Sequence, residues 1–320
     1  MKQLRYITAS SLLMISQLTF AQQISVATGG TGGVYYPIGG AIADLATSQL
    51  EGVNAVAEVT GASAENMGLI WRQDSDFAFS VGDTAYEAYH GIGGFEGKQL
   101  ESLRAVASVY PSSIHIAVLA GSDIYSLDDL KGKKVSVGAP GSGNELNSRS
   151  VLEPNGITYE DFYPQRLNFN ETADALGDGD IDAGIWSVPA PASSLISLST
   201  TRDIRLLSMS DEEINHVLSD NPIYSRHTIP GGLYSGVDET TNTVILPNVI
   251  VTNKNVSEDL VYSIAKLIFE NNDALVSVHP AARDTTVEFS ISSMPIPFHE
   301  GVIRYFDEMG VSVEKHQMVE

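Results

Sequence analysis

The chain has 320 residues, 43% of them hydrophobic and 18% charged, an ordinary globular composition with length enough for two lobes. It contains no cysteine, which excludes disulfides, thiolate catalysis and cysteine-ligated zinc or iron–sulfur clusters. Forty acidic residues against 18 basic ones give a formal net charge of −22, which disfavours nucleic acid and anionic membrane as partners and leaves any anionic ligand to local donors.

Residues Met1–Ala21 read as a secretory signal. Lys2 and Arg5 form its charged start, Ile7–Phe20 its apolar middle, and Thr19-Phe20-Ala21 a small-residue cleavage site. The apolar stretch is short of the roughly 20 residues of a membrane-spanning helix. An uncleaved anchor is the alternative reading. Cleavage would remove two cations and no acids and leave the mature chain at −24. An exported, soluble chain is the expectation.

Ile24–Thr28 alternates as a short strand and runs into Gly29–Gly40, GGTGGVYYPIGG, in which six of twelve residues are glycine. Pro37 falls where a first helical turn begins, and Ile38, Ile42 and Leu45 then recur at helical spacing. Strand, glycine-rich turn and helix follow, an arrangement that aims free N–H groups of a helix start into open space and suits an anion. The same turn also reads as a tight connection that binds nothing.

A βα rhythm repeats from there. Asn54–Thr60 is strand-like and Gly61-Ala62-Ser63 leads into a helical ENMGLIW. Asp76–Val81 precedes Gly82-Asp83 and a helix that stops at Gly91. Two strand-like runs, Arg104–Tyr110 and Ile114–Ala120, are separated by Pro111-Ser112-Ser113. A short helix over Ser126–Gly132 precedes the strand Lys134–Gly138, and Ala139–Gly143 turns into a helix ending at Pro154-Asn155-Gly156. Phe162–Phe169 is strand-like, Glu171–Leu176 helical, and Ile181–Trp186 a strand leading to a turn at Ser187–Pro191. Ile204–Met209, Asp211–Asp220, the apolar run Thr243–Thr252 broken at Pro247, helical Glu258–Asn271 and PIPFHEGVIRYFDEMG (Pro295–Gly310) complete the chain. The alternation predicts an α/β fold with parallel sheets and helices on both faces.

Several strand-to-helix turns carry the same equipment. Asp83 and Ser63 (with Asn66 three residues on) are candidate N-caps, Ser142-Gly143-Asn144-Glu145 fits the capping box, and Pro191 suits a first helical position. Such turns lie at the carboxyl ends of strands, where open α/β sheets bind ligands. Together they predict a neutral pocket of N–H and hydroxyl donors, although each cap alone also reads as serving only its own helix. Tyr35, Tyr36, Tyr86 and Trp186 sit at or beside the turns and read either as a cleft mouth or as packing.

Enzyme motifs fail in turn. Gly-x-Gly-x-x-Gly would need glycine at Tyr35, Gly-x-Ser-x-Gly fails at Glu65, and no phosphate-loop sequence or His-x-x-x-His pair occurs among the seven histidines. Asp178-Gly-Asp180-Ile-Asp182 opens like a calcium loop but has Ala183 and Pro189 where that loop needs glycine and glutamate, so it reads as a polar turn. No catalytic residue, cofactor or metal is expected.

The stretches TGGTGGVYYPIGGAIA, TGASAENM, VGDTAYEAYHG, DLKGKKVSVGAPGSGNELNSR, DGDIDAGIWSVPAPA, IPGGLYSG and PIPFHEGVIRYFDEMG, in that order, resemble the TAXI substrate-binding proteins, receptors of one branch of TRAP transporters. The chain departs from the pattern at Ala62, where many members have glycine, and at Trp186, where smaller apolar residues are common. The resemblance implies a two-lobed periplasmic binding protein of type II, hinged between lobes, with residues 22–110 plus 247–320 in the first and 111–246 in the second. It implies a periplasmic location, a membrane-embedded TRAP permease as partner, and glutamate, glutamine or a dicarboxylate such as 2-oxoglutarate as ligand. On that basis Thr31, Gly33, Val34 and Tyr35 would hold one carboxylate, with Ser63 and Asn66 from the same lobe and Ser142, Gly143 and Asn144 from the other. Asp83 or Glu145 would accept an ammonium, Tyr86 and Trp186 would border the pocket, and Arg149, one turn past Glu145, would pair with it or meet a distal carboxylate. A ligand-sensing domain for a membrane receptor, or an enzyme using Asp83 or Glu145 as base, are the competing readings.

Overall fold

A computed structural model describes residues 21–318. The expected secretory segment Met1–Ala21 lies outside them apart from Ala21. In chain order the elements are β1 (Gln22–Ala27), α1 (Tyr35–Gln49), β2 (Val53–Glu58), α2 (Ser63–Arg72), β3 (Phe77–Val81), α3 (Gly82–His90) and β4 (Leu103–Leu119). Then come β5 (Lys134–Ser136), α4 (Gly143–Leu152), β6 (Tyr163–Gln165), α5 (Phe169–Asp178), β7 (Ala183–Val188), α6 (Ser193–Thr201), β8 (Ile204–Leu206), α7 (Asp211–Asp220) and β9 (Ser225–Ile229). Last are β10 (Thr241–Asn253), α8 (Glu258–Glu270), α9 (Asn272–Val278), α10 (Val287–Ser293) and α11 (Glu300–Glu308).

The strands join in the order β2-β1-β3-β10-β4-β7-β5-β6, with β8 on β4 and β9 on β10. Pairing is parallel for β1 with β2 and β3, and for β5 with β6 and β7. The long strands β4 and β10 are antiparallel to each other and to their outer neighbours. Each parallel set lies beside its own core. One core unites Ile24, Phe79 and Tyr110 with Val249, Phe298 and Phe306, so it draws on both ends of the chain. A second, on the other side, runs from Val81 through Val135 and Ile185 to Leu246, and a third packs Trp186 with Leu176, Leu195 and Tyr234. The result is the α/β, two-lobed fold of the periplasmic binding-protein type, with β4 and β10 crossing between the lobes.

The sequence suggests breaks at Pro111-Ser112-Ser113 and at Pro247, yet both strands run straight through. The reason is their register: Pro247 stands opposite Pro111. Neither proline has an N–H to offer, so their pairing confines the lost ladder bonds to one rung. Other expectations shrink or shift. Ser126–Gly132 holds only a 3-10 turn at Asp128–Leu130, and Phe162–Phe169 forms strand only over Tyr163–Gln165 because Phe169 opens α5. Pro191 lies ahead of α6 rather than at its first position. Strand β7 runs on through Ser187 and Val188, two residues past the expected end.

Candidate ligand-binding cleft

Four helix starts converge between the lobes on a cavity of about 510 Å³. From the first lobe come the starts of α1 (Val34, Tyr35) and α2 (Ala62, Ser63), with the glycine-rich turn Gly29–Gly33 between β1 and α1. From the second come the starts of α4 (Ser142, Gly143, Asn144) and α5 (Asn168, Phe169). The first N–H groups of each helix have no carbonyl one turn back; in α5 those of Asn170 and Glu171 are taken by Asn168 Oδ1, and in α4 that of Glu145 by Ser142 Oγ. Neither α1 nor α2 has a side-chain cap to occupy them.

The floor lies at the crossing strands. Tyr35 donates its hydroxyl to Asn248 Oδ1 at 2.6 Å, and Asn248 Nδ2 donates to Ser112 Oγ at 2.7 Å and to the Tyr110 carbonyl at 3.0 Å. Burial pushes the Tyr35 phenol far above its ordinary pKa, so it stays a neutral donor. Apolar wall comes from Val59, Leu167, Phe169, Val188 and Pro189. Glu171 and Asp174 of α5 also line the space, whereas no lysine, arginine or histidine does so among the described residues.

Eight residues of the predicted set come together here: Thr31, Gly33, Val34, Tyr35, Ser63, Ser142, Gly143 and Asn144. Ser142 is the cap the sequence suggests, accepting from Glu145 N–H at 3.2 Å, but the Glu145 carboxylate does not close the box. It pairs instead with Arg149 at 3.1 Å. Asn144 is spent structurally: its amide donates to the Ile185 and Val137 carbonyls, and its Oδ1 accepts from Ser187 N–H. Ser63 is the first residue of α2 rather than its cap, and its Oγ accepts from Val81 N–H at 3.1 Å.

Five others are not among the residues lining the cavity. Asn66 is fully buried, tying the Thr28 and Phe79 carbonyls at the ends of β1 and β3. Glu145 turns to Arg149, and the Tyr86 ring packs at a tilt against His90 along α3. Trp186 is fully buried in the third core and donates to the Phe169 carbonyl at 3.3 Å. Asp83 neither caps α3, whose cap position is Val81, nor lines the cavity. Its carboxyl is fully buried and meets Tyr224 Oη at 2.6 Å, Asn147 Nδ2 and its neighbour Thr84 N–H. Burial raises its pKa above the carboxylate range, against the lowering effect of those donors. Asp83 therefore joins α3 to α4 and to the segment after α7, a contact between lobes.

Among the cavity-lining residues the sequence reading passed over are Asn248, Glu171, Asp174 and Ser187. Ser187 lies beside the start of α4, is 7% exposed, and its Oγ finds no partner among the described residues. The lobes also touch directly: Ala64 N–H donates to the Gly141 carbonyl at 3.2 Å, and Asn170 lies against Gly32.

Fold and cleft together define the class: a two-lobed α/β chain of the periplasmic binding-protein type, with its cavity between the lobes. The sequence model of the NMT1-like family matches residues 26–310, and the chain belongs to that family. Among solved structures it is similar to a Xanthomonas citri protein bound to ATP, with a TM-score of 0.56 and 13% identity over 89% of this chain and 98% of that one. It is also similar to a putative L-cystine ABC transporter from Listeria monocytogenes, with a TM-score of 0.51 and 14% identity over 83% and 99%. At such identities the likeness is one of fold. No helix among the described residues is long and apolar enough to cross a membrane.

Proposed function

We propose that the chain is the extracytoplasmic substrate-binding protein of a TAXI-type TRAP transporter. It takes up a small carboxylate such as glutamate, glutamine or 2-oxoglutarate between its lobes and delivers it to the membrane permease. The observation that carries this reading is the cavity onto which four helix starts, two from each lobe, converge. A carboxylate is satisfied by such N–H groups without any lysine or arginine. Donors from both lobes meet it together only when the lobes are shut, so ligand binding favours closure. The lobes would divide at 110/111 and 246/247, beside the facing prolines Pro111 and Pro247, and the closed pair of lobes would form the surface the permease recognises.

Titration calorimetry on purified protein with glutamate, glutamine, pyroglutamate, 2-oxoglutarate and succinate tests the binding step. A probe from this set is expected to bind at micromolar concentration; none doing so at millimolar concentration overturns the reading. The partner is tested in cells. Uptake should collapse with the ion gradient, and uptake that follows ATP instead would assign the chain to an ABC transporter.

A further inference from the structure

Strands β4 and β10 cross between the lobes with Pro111 facing Pro247, and neither proline has an N–H for the ladder. The register also slips one position further along β10, between Asn248 and Val249. The crossing is therefore poor in backbone bonds where it floors the cavity. The Asn248 side chain takes their place. Its Nδ2 donates to the Tyr110 carbonyl at 3.0 Å and to Ser112 Oγ at 2.7 Å, the groups on either side of Pro111.

The amide can face only one way. The Tyr110 carbonyl has nothing to donate, so Nδ2 must point to it and Oδ1 must point away. Oδ1 then takes its hydrogen bond from the Tyr35 hydroxyl at 2.6 Å. Asn248 is 2% exposed, so a bond lost there is costly. Tyr35 opens α1 just after the glycine-rich turn, and its ring is held against Phe79 and Tyr110. Tyr35, Ser112 and Asn248 all line the cavity. One side chain thus joins the two crossing strands to each other and to a helix start at the cleft wall.

We propose that Asn248 is a positioning residue: it replaces the ladder bonds that Pro111 and Pro247 lack and, through the Tyr35 hydroxyl, makes the strand crossing and the start of α1 move as one body. The mechanical link stands on the hydrogen bonds alone; its effect on affinity rests on the proposed carboxylate-binding function.

Hydrogen exchange read by mass spectrometry on the purified, ligand-free protein tests the link. Tyr35→Phe keeps the ring and removes only the hydroxyl. Amide exchange should speed up about tenfold in residues 112–114 and 245–249, while α8 keeps the parent's rate. No acceleration at the crossing overturns the proposal. So does acceleration spread evenly over the chain, which would make the bond a general stabiliser.

Calorimetry with glutamate and 2-oxoglutarate tests the consequence. Tyr35→Phe and Asn248→Ala should each weaken the tighter probe about tenfold, and the double variant should lose no more than the worse single one, because both changes break one chain of bonds. Losses that multiply to about a hundredfold would show two independent residues and overturn the coupling. If neither probe binds the parent at millimolar concentration, the carboxylate-binding function fails and the exchange result alone decides the role of Asn248.

Discussion

Gly143, in the first turn of α4, meets Ser63, in the first turn of α2, so closely that a Cβ on Gly143 would lie 2.5 Å from Ser63 Oγ and 3.0 Å from Ser63 Cβ. One helix tip from each lobe thus touches the other, with Val81 Cγ2 equally near the same point. Glycine is required by contact between lobes, not by its own backbone. Gly143→Ala should therefore hold the lobes apart and weaken ligand binding about a hundredfold, while the melting temperature of the ligand-free protein changes little. Small-angle scattering should show a ligand-saturated variant that stays wider than the parent. Normal closure in the variant would mean that the tips do not meet as described.

Asp83 gives a different expectation. Its carboxyl is buried with Tyr224 and Asn147 and no cation, and Asn147 Oδ1 beside it has no partner among the described residues. An amide at position 83 keeps one oxygen for Tyr224 and Asn147 but turns its NH2 toward the Thr84 N–H, which loses its acceptor. Asp83→Asn trades a buried acid for one lost hydrogen bond, so it should stay within about 1.5 kcal/mol of the parent's stability, with ligand affinity within about twofold. Complete loss of amino-acid binding with the fold intact would restore Asp83 as an ammonium partner.

Glu87, one turn further along α3, sets a pH dependence. Burial raises its pKa from 4.5 to about 7, with help from the Asp83 and Asp220 carboxylates and against the Gly94 N–H, which donates to it. Because the folded value lies above the unfolded one, Glu87 contributes stability in full below pH 4.5 and loses that contribution as pH rises through about 7. Glu87→Gln removes the slope. Its melting temperature should match the parent's near about pH 4 and exceed it near about pH 8. Parallel melting curves across that range would show that Glu87 is ionised in the fold throughout.

Ala62, just before α2, has φ 75° and ψ −146°, a conformation that suits glycine. Ala62 is also where the sequence departs from the glycine common in the family it resembles, and the backbone shows the cost. Ala62→Gly should stabilise the protein by about 1 kcal/mol, the relief of strain exceeding the added freedom of the unfolded chain. Chemical denaturation would detect it; a less stable variant would mean that the Ala62 methyl does more for packing than its backbone loses.

Much of this fold is readable in the residues because local patterns coincide with tertiary need. The βα rhythm locates the helix starts, and Gly29–Gly33 and Ser142-Gly143 reveal themselves by composition. Side-chain direction is less legible. Trp186 and Ser187 are adjacent in β7, and strand alternation sends them to opposite faces. The aromatic catches the eye and goes to the core; the serine beside it reaches the cleft. Asp83 and Asn66 carry the residue types expected of a site, but their helices turn them toward the neighbouring helix and strand ends. The run through Pro111 and Pro247 depends on a partner 136 positions away in the chain, which no local pattern contains.

Strand β10 is the last strand in the sequence and sits between β3 and β4. Its Val249, Ile250 and Val251 belong to the same core as Ile24 and Phe79, while the second core is complete by Leu246. Assembly is therefore ordered from the inside of the chain outward. The internal lobe has its whole core in hand before β10 is finished. The outer one must keep β3 and β4 with unpaired edges until that late strand slides between them, which makes its docking the slow, non-local step and the interval in which a shortened chain is most prone to stick to its own kind.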